Sequence, residues 1–207
     1  TLSLMDSEQY WKAIKLLKNA THVHTMGLGI STYIAEIAAY LLKKIGIKSS
    51  AMCYGGFTFM QSIIDMPARD VILAFSFPPY SMDMIHAAAF AHKKGLKVIA
   101  VTNKVTSKIV QYSAVYLQIV VESTTVYNSM STILTLLNAL ITDLADKLKL
   151  RSLKAIETAE VAEKDIHLGN TSVTGGKCHR ERSVAISRGW QARQEIASSK
   201  TPRNDHP

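Results

Sequence analysis

The sequence predicts an α/β fold: a three-layer sandwich in which a five-stranded parallel sheet, doubly wound, carries helices on both faces. Two observations predict it. Short apolar runs alternate along the chain with segments of helical period. The turns after two of those runs, Gly27-Leu28-Gly29-Ile30-Ser31 and Ser76-Phe77-Pro78-Pro79-Tyr80-Ser81, are rich in turn residues and hydroxyls, and each precedes a helix-like pattern. With 207 residues, 47% apolar and 19% charged, the chain has enough material for one full core and not obviously for two.

Asp6-Ser7-Glu8-Gln9 reads as a helix start, and Tyr10, Ile14 and Leu17 recur on one face, giving an amphipathic helix over Ser7–Lys18. Thr21–Met26 is a short strand feeding the first glycine-rich turn. Thr32–Ile45 is a helix, with Ile34, Ile37, Ala38, Leu41 and Leu42 at helical spacing, stopped by Gly46. Ser49–Cys53 is the second strand, Gly55-Gly56 a turn, and Phe57–Asp65 a helix ended by Pro67.

Asp70–Phe75 (DVILAF) has the continuous apolar character of a strand covered on both faces. Ser81–Lys94 is a helix stopped at Gly95. Leu96–Val101 is the fourth strand, Thr102-Asn103 a turn, Ser107–Gln111 a short helix and Val115–Val121 the fifth strand. Val126–Leu148 is a long closing helix whose apolar residues, from Val126 through Leu148, keep a 3.6-residue period. So broad an apolar face suits burial between layers or a subunit interface.

After Leu150 the character changes. Lys154–Lys164 still reads as a helix, but from Gly169 on periodicity fades, Thr174–Lys177 is turn-like, and Ser198–Pro207 reads as disordered. The expected organisation is an N-terminal linker helix over 1–20, a ligand-binding domain over 21–150 and an atypical tail over 151–207.

Composition narrows the function classes. The net charge of +8 favours acidic partners, yet Lys and Arg are scattered and no basic helix with interleaved base-reading residues appears. Cys53 and Cys178 have no CxxC spacing, so neither a disulfide framework nor a zinc site is expected, and a reducing cytoplasm is the simplest location. No secretory signal is evident, and no apolar run reaches the roughly 18 residues of a membrane span. The first residue is Thr1 rather than Met, which leaves room for a segment removed upstream.

The two loops carry the chemistry. In an open parallel sheet, ligands sit outside the carboxyl ends of the strands, where helix N-termini present free N–H groups and a positive dipole end. Gly27 and Gly29 permit a tight turn and a close approach to an anion, and Ser31 is placed to cap the next helix or to face a ligand. By itself this GxGxS also fits a plain strand–helix turn. It is not a dinucleotide fingerprint, because the third glycine and an acid after the second strand are missing. In the second loop Ser76 ends a buried strand and Ser81 starts a helix, with two prolines stiffening the backbone between them. Rigid hydroxyls over a helix N-terminus suit a phosphate; a proline-stiffened loop with Ser81 as a simple cap is the plainer reading.

The combination resembles the SIS (sugar isomerase) domain, flavodoxin-like in its winding, and within that family the effector domain of RpiR/MurR-type transcriptional regulators. The matching segments are MGLGIS at Met26–Ser31, ILAFSFPPYS at Ile72–Ser81, HKKGLKVIAVTNKVTSKI at His92–Ile109, and VYNSMSTILTLLNALI at Val126–Ile141. They cover about residues 5–150. The resemblance implies that Ser31, Ser76 and Ser81 hold a sugar's phosphate and that Gly27 and Gly29 are the turn glycines. It also implies that a serine used by many SIS enzymes is replaced here by Pro78, removing one phosphate contact, with Tyr80 compensating from the mouth of the site.

An isomerase would need a base and a second proton-handling group. Glu36, His86, His92 and Glu122 are available; Glu122, just past the fifth strand, is the best-placed acid and is included among the ligand-binding residues. No acid–base pair stands out by spacing, and each also fits a solvated or capping role. His22 and His24 share one strand face, so a metal pair is conceivable, but without a third ligand a structural pair is expected; the same holds for Cys178-His179 as an unstructured segment.

The leading expectation is thus a non-enzymatic sensing domain that binds a sugar phosphate, needs no cofactor or metal, and forms a homodimer or higher homo-oligomer. In regulators of this kind, by resemblance, the ligand sets the geometry of N-terminal helix-turn-helix domains on DNA. This sequence enters the sensing domain directly, so operator binding is not expected of it. A phosphosugar isomerase of the same fold is the alternative.

Overall fold

The computed structural model describes residues 6–121 and 129–169. Glu122, the start of the closing helix at Val126, and Thr174–Lys177, Cys178 and His179 of the tail lie outside the described residues. One compact unit runs to Val161, and a second begins at Ala162.

Helix α1 (Ser7–Asn19) starts where expected: the Asp6 carboxylate accepts from the backbone N–H of Glu8 at 2.8 Å and of Gln9 at 3.4 Å. Strand β1 (Val23–Gly27) leads to α2 (Ser31–Lys44), β2 (Ser49–Met52), α3 (Phe57–Ile64), β3 (Val71–Phe75), α4 (Met82–Lys93), β4 (Lys97–Thr102) and β5 (Val115–Gln118). Helices α5 (Met130–Lys147) and α6 (Lys149–Gly169) follow. The short helix expected at Ser107–Gln111 is a single 3-10 turn at Val110–Tyr112. Its hydrogen bonds span three residues, as in Val110 N–H to Ser107 carbonyl at 2.9 Å.

The five strands are all parallel, in the order β2-β1-β3-β4-β5. This is the doubly wound arrangement, which reverses direction between β1 and β3 and opens a crevice at their carboxyl ends. Strand β3 is central and every residue from Val71 to Phe75 is buried, which accounts for its unbroken apolar run.

Alternation sorts the strand residues onto two cores. On one face Val23, Leu73, Phe75, Ile99, Val101 and Leu117 pack with α1, α2 and α5. On the other Met26, Ile72, Ala74, Val98 and Ala100 pack with α3 and α4. Burial of Ile14 and Leu17 commits α1 to the first core, each side chain contributing about 1.5–3 kcal/mol. The Tyr10 hydroxyl, donating to the Asp143 carboxylate at 2.6 Å, ties α1 to α5. Burial and that neighbouring charge raise the Tyr10 phenol far above its ordinary range. At the far end of α4, Lys94 donates to the carbonyls of Ile63, Ile64 and Met66, closing the C-terminus of α3.

Candidate anion-binding site

Gly27 and Phe75 are paired in the β1–β3 ladder, so the two loops singled out in the sequence leave the sheet side by side. A Cβ on Gly27 would lie 2.2 Å from the Ser31 carbonyl oxygen, so only glycine lets the chain fold back this tightly. Gly29 holds φ at +60°, in the left-handed region. The turn closes through Ser31 N–H to the Leu28 carbonyl at 3.2 Å and Thr32 N–H to the Gly29 carbonyl at 3.1 Å.

The expectation that Ser31 caps α2 is corrected. Ile30 occupies the cap position with helical dihedrals and no side-chain bond, and Ser31 is already inside the helix and buried. The turn is tight enough that the helix starts one residue early. Thr32, not Ser31, donates its hydroxyl back to the Gly27 carbonyl at 3.3 Å.

In the second loop, Ser76 N–H donates to the Val101 carbonyl at 2.9 Å, which continues the β3–β4 ladder one residue beyond β3. Phe75 is registered with Val101. Strand alternation therefore sets Ser76 and Thr102 side by side on the face covered by α3 and α4. Both are buried, and neither Ser76 Oγ nor Thr102 Oγ1 has a hydrogen-bond partner. A hydroxyl buried this way costs about 1–3 kcal/mol.

The loop then passes through a cis Pro78–Pro79 bond to Tyr80 and Ser81. Tyr80 is 40% exposed and its hydroxyl donates to Asn103 Oδ1 at 2.6 Å. Asn103 is held from the other side by Gln118, whose Nε2 donates to its carbonyl at 3.2 Å. Ser81 is the N-cap of α4 with extended dihedrals, yet its hydroxyl makes no capping bond. The Asp83 carboxylate turns toward the neighbouring β2–α3 turn, its Oδ2 lying 2.5 Å from where a Cβ of Gly55 would stand.

The structure thus gathers Gly27 and Gly29 on one loop, Ser31 in the first turn of α2, and Ser76, Tyr80 and Ser81 on the second loop, at one end of the sheet. The remaining acid–base candidates are dispersed. Glu36 is exposed on α2; its charge, after burial, helps raise the Cys53 thiol. His86 is exposed on α4, and His92 lies in the last turn of that helix, away from Ser81. Glu122 lies outside the described residues. Sequence reasoning missed Thr102, Asn103 and Asp83. A polar residue closing the apolar run of β4 in register with Ser76 was the available signal for Thr102.

His22 and His24 form the expected pair, with stacked rings 4.4 Å apart. They lie toward the amino ends of the strands. The Asp70 carboxylate must accept, so His24 Nε2 donates to it at 3.0 Å. In the neutral ring Nδ1 then accepts from the Ser50 hydroxyl at 3.2 Å, and His22 Nε2 donates to Ser50 at 2.9 Å. Among the described residues no group of three or more His, Cys, Asp or Glu could hold a metal ion.

A parallel sheet in the order β2-β1-β3-β4-β5 with helices on both faces defines a doubly wound α/β domain. Residues 16–143 match the SIS domain family model, and the chain belongs to that family. It is 29% identical over 113 residues to an uncharacterized HTH-type transcriptional regulator of Haemophilus influenzae, covering 55% of this chain and 39% of that protein. The chain therefore spans about two-fifths of that relative's length. Among solved structures it is similar to the sugar isomerase domain of an RpiR transcription factor from Sphaerobacter thermophilus. The TM-score there is 0.74 at 21% identity, covering 77% of this chain and 89% of that one. It is also similar to the Vibrio vulnificus NanR protein complexed with ManNAc-6P, with a TM-score of 0.64 at 22% identity, covering 78% and 62%. At these identities the structural likeness speaks for the fold.

Proposed function

We propose that this chain is the sugar-phosphate-sensing domain of an RpiR-type transcriptional regulator. The observation that carries the reading is the Ser76 hydroxyl, buried and unpartnered on the sheet face covered by α4, together with the N-cap hydroxyl of Ser81, which makes no capping bond. A phosphate satisfies both hydroxyls and the free N–H groups of the first turn of α4. Gly27 and Gly29 border the ligand from the adjacent loop and Ser31 from the first turn of α2, and Tyr80 completes its surroundings. The regulator relatives, and NanR with its ManNAc-6P, support this reading.

Binding shifts the pose of helices at a homodimer interface built on the exposed remainder of α5, and DNA is engaged only through a helix-turn-helix domain of the whole protein. Dimerisation is checked by sedimentation; a clean monomer at micromolar concentration counts against it.

The test is thermal denaturation against glucose 6-phosphate, ribose 5-phosphate, glucosamine 6-phosphate and ManNAc-6P, with free sugars and inorganic phosphate as controls. A ligand that binds only the native state raises the midpoint by mass action. Stabilisation by one phosphosugar class without turnover is expected. Turnover of that ligand would establish an isomerase instead, and a flat response across the panel would remove the sugar-phosphate reading.

A further inference from the structure

We propose that Thr102 is a ligand-binding residue, its hydroxyl donating to a phosphate oxygen from the floor of the crevice; this rests on the sugar-phosphate reading. Thr102 is fully buried at the carboxyl end of β4, and its Oγ1 has no hydrogen-bond partner. Its neighbour in register is Ser76, whose buried Oγ is unpartnered in the same way. Two orphaned hydroxyls side by side on one sheet face are unusual, because buried polar groups are almost always satisfied. Neither hydroxyl finds a partner within the protein, and each has a proton to donate. Both lie on the face covered by α4, where Ser81 and the first-turn N–H groups present donors.

A tetrahedral phosphate ester, with three peripheral acceptor oxygens, can take Ser76, Thr102 and the helix terminus at once. A neutral sugar hydroxyl cannot. Position is fixed as well as chemistry. Asn103, the next residue, is held by Tyr80 on one side and Gln118 on the other, which clamps the end of β4. A β-branched side chain on a clamped backbone has little χ1 freedom left to lose on binding.

Thr102→Val removes the hydroxyl and keeps the shape, and Thr102→Ser keeps the hydroxyl. Calorimetric titration of the full chain with the most stabilising phosphosugar of the panel above is the experiment, alongside melting of each free protein. Thr102→Val is expected to melt at or above the wild-type temperature, since an orphaned hydroxyl has been removed, and to bind about tenfold more weakly or worse. Thr102→Ser is expected to bind within about threefold of wild type, having kept the charge-assisted bond. Wild-type affinity in Thr102→Val overturns the proposal and leaves the sugar-phosphate reading standing. A free Thr102→Val protein that melts well below wild type overturns it too, because the hydroxyl would then have a structural partner. A wild-type chain that binds none of the phosphosugars overturns both.

Discussion

The phenol of Tyr80 donates to Asn103 Oδ1 at 2.6 Å, and this bond joins the loop after β3 to the turn after β4. Asn103 follows Thr102 directly in the chain, so the bond reaches the end of the strand that carries Thr102. The loop that carries Ser76 and Ser81 is thereby attached to the sheet at both ends, and its hydroxyls are held before any ligand arrives. Pre-ordering of this kind lowers the entropic cost of binding.

Tyr80→Phe removes that bond and little else. The folded state is expected to lose about 0.5–1.5 kcal/mol, the usual worth of one hydrogen bond, and phosphosugar affinity is expected to fall severalfold as the loop loosens. Urea denaturation and calorimetry on the same protein separate the two effects. Asn103→Ala should reproduce the affinity loss, and the double variant should add little to either single change.

Ser81→Ala should behave differently. An ordinary N-cap serine replaced by alanine costs about 1 kcal/mol of stability. The Ser81 hydroxyl makes no capping bond, so the free protein should keep its midpoint. Phosphosugar binding should weaken by roughly 1.5–3 kcal/mol, the range for a hydrogen bond to a charged group. Unchanged affinity by calorimetry would take Ser81 out of the site.

Gly27→Ala tests the first loop. The added carbon would sit 2.2 Å from the Ser31 carbonyl oxygen and 2.6 Å from its carbonyl carbon. Both are backbone atoms, so relief requires moving the start of α2. A loss of roughly 1–3 kcal/mol or more is expected from overpacking, read as a lower urea midpoint.

The His22–Ser50–His24–Asp70 chain predicts a pH dependence. Burial, and then the neighbouring His24, depress the pKa of His22 below its ordinary 6.5, with Lys43 and Lys48 adding to the effect and Asp70 opposing it. A histidine depressed in the folded state stays neutral there while the unfolded chain takes up a proton. Its contribution is therefore present above the unfolded pKa and is lost as pH falls below about 6.5 toward the lower folded value. Melting temperatures between pH 7.5 and 5 should fall on the acid side, and His22→Gln should flatten that fall.

Sequence alone was enough for the alternation of strands and helices, because period is a local property. The DVILAF run announced a strand covered on both faces, and Tyr10, Ile14 and Leu17 announced an amphipathic helix capped by Asp6. The glycine and serine loops were legible for the same reason: turn geometry depends on a few consecutive residues. Tertiary structure decided what each polar group does with its hydrogen bonds. That Ser31 lies within α2 follows from how closely Gly27 approaches it. That Thr102 is Ser76's neighbour follows from the register of two strands 26 residues apart in their paired positions, Ile72 with Val98 for instance beside Phe75 with Val101. The pairing of Tyr80 with Asn103, and of His24 with Asp70, joins residues distant in the chain. Such contacts depend on which strands lie side by side, and no local pattern encodes that.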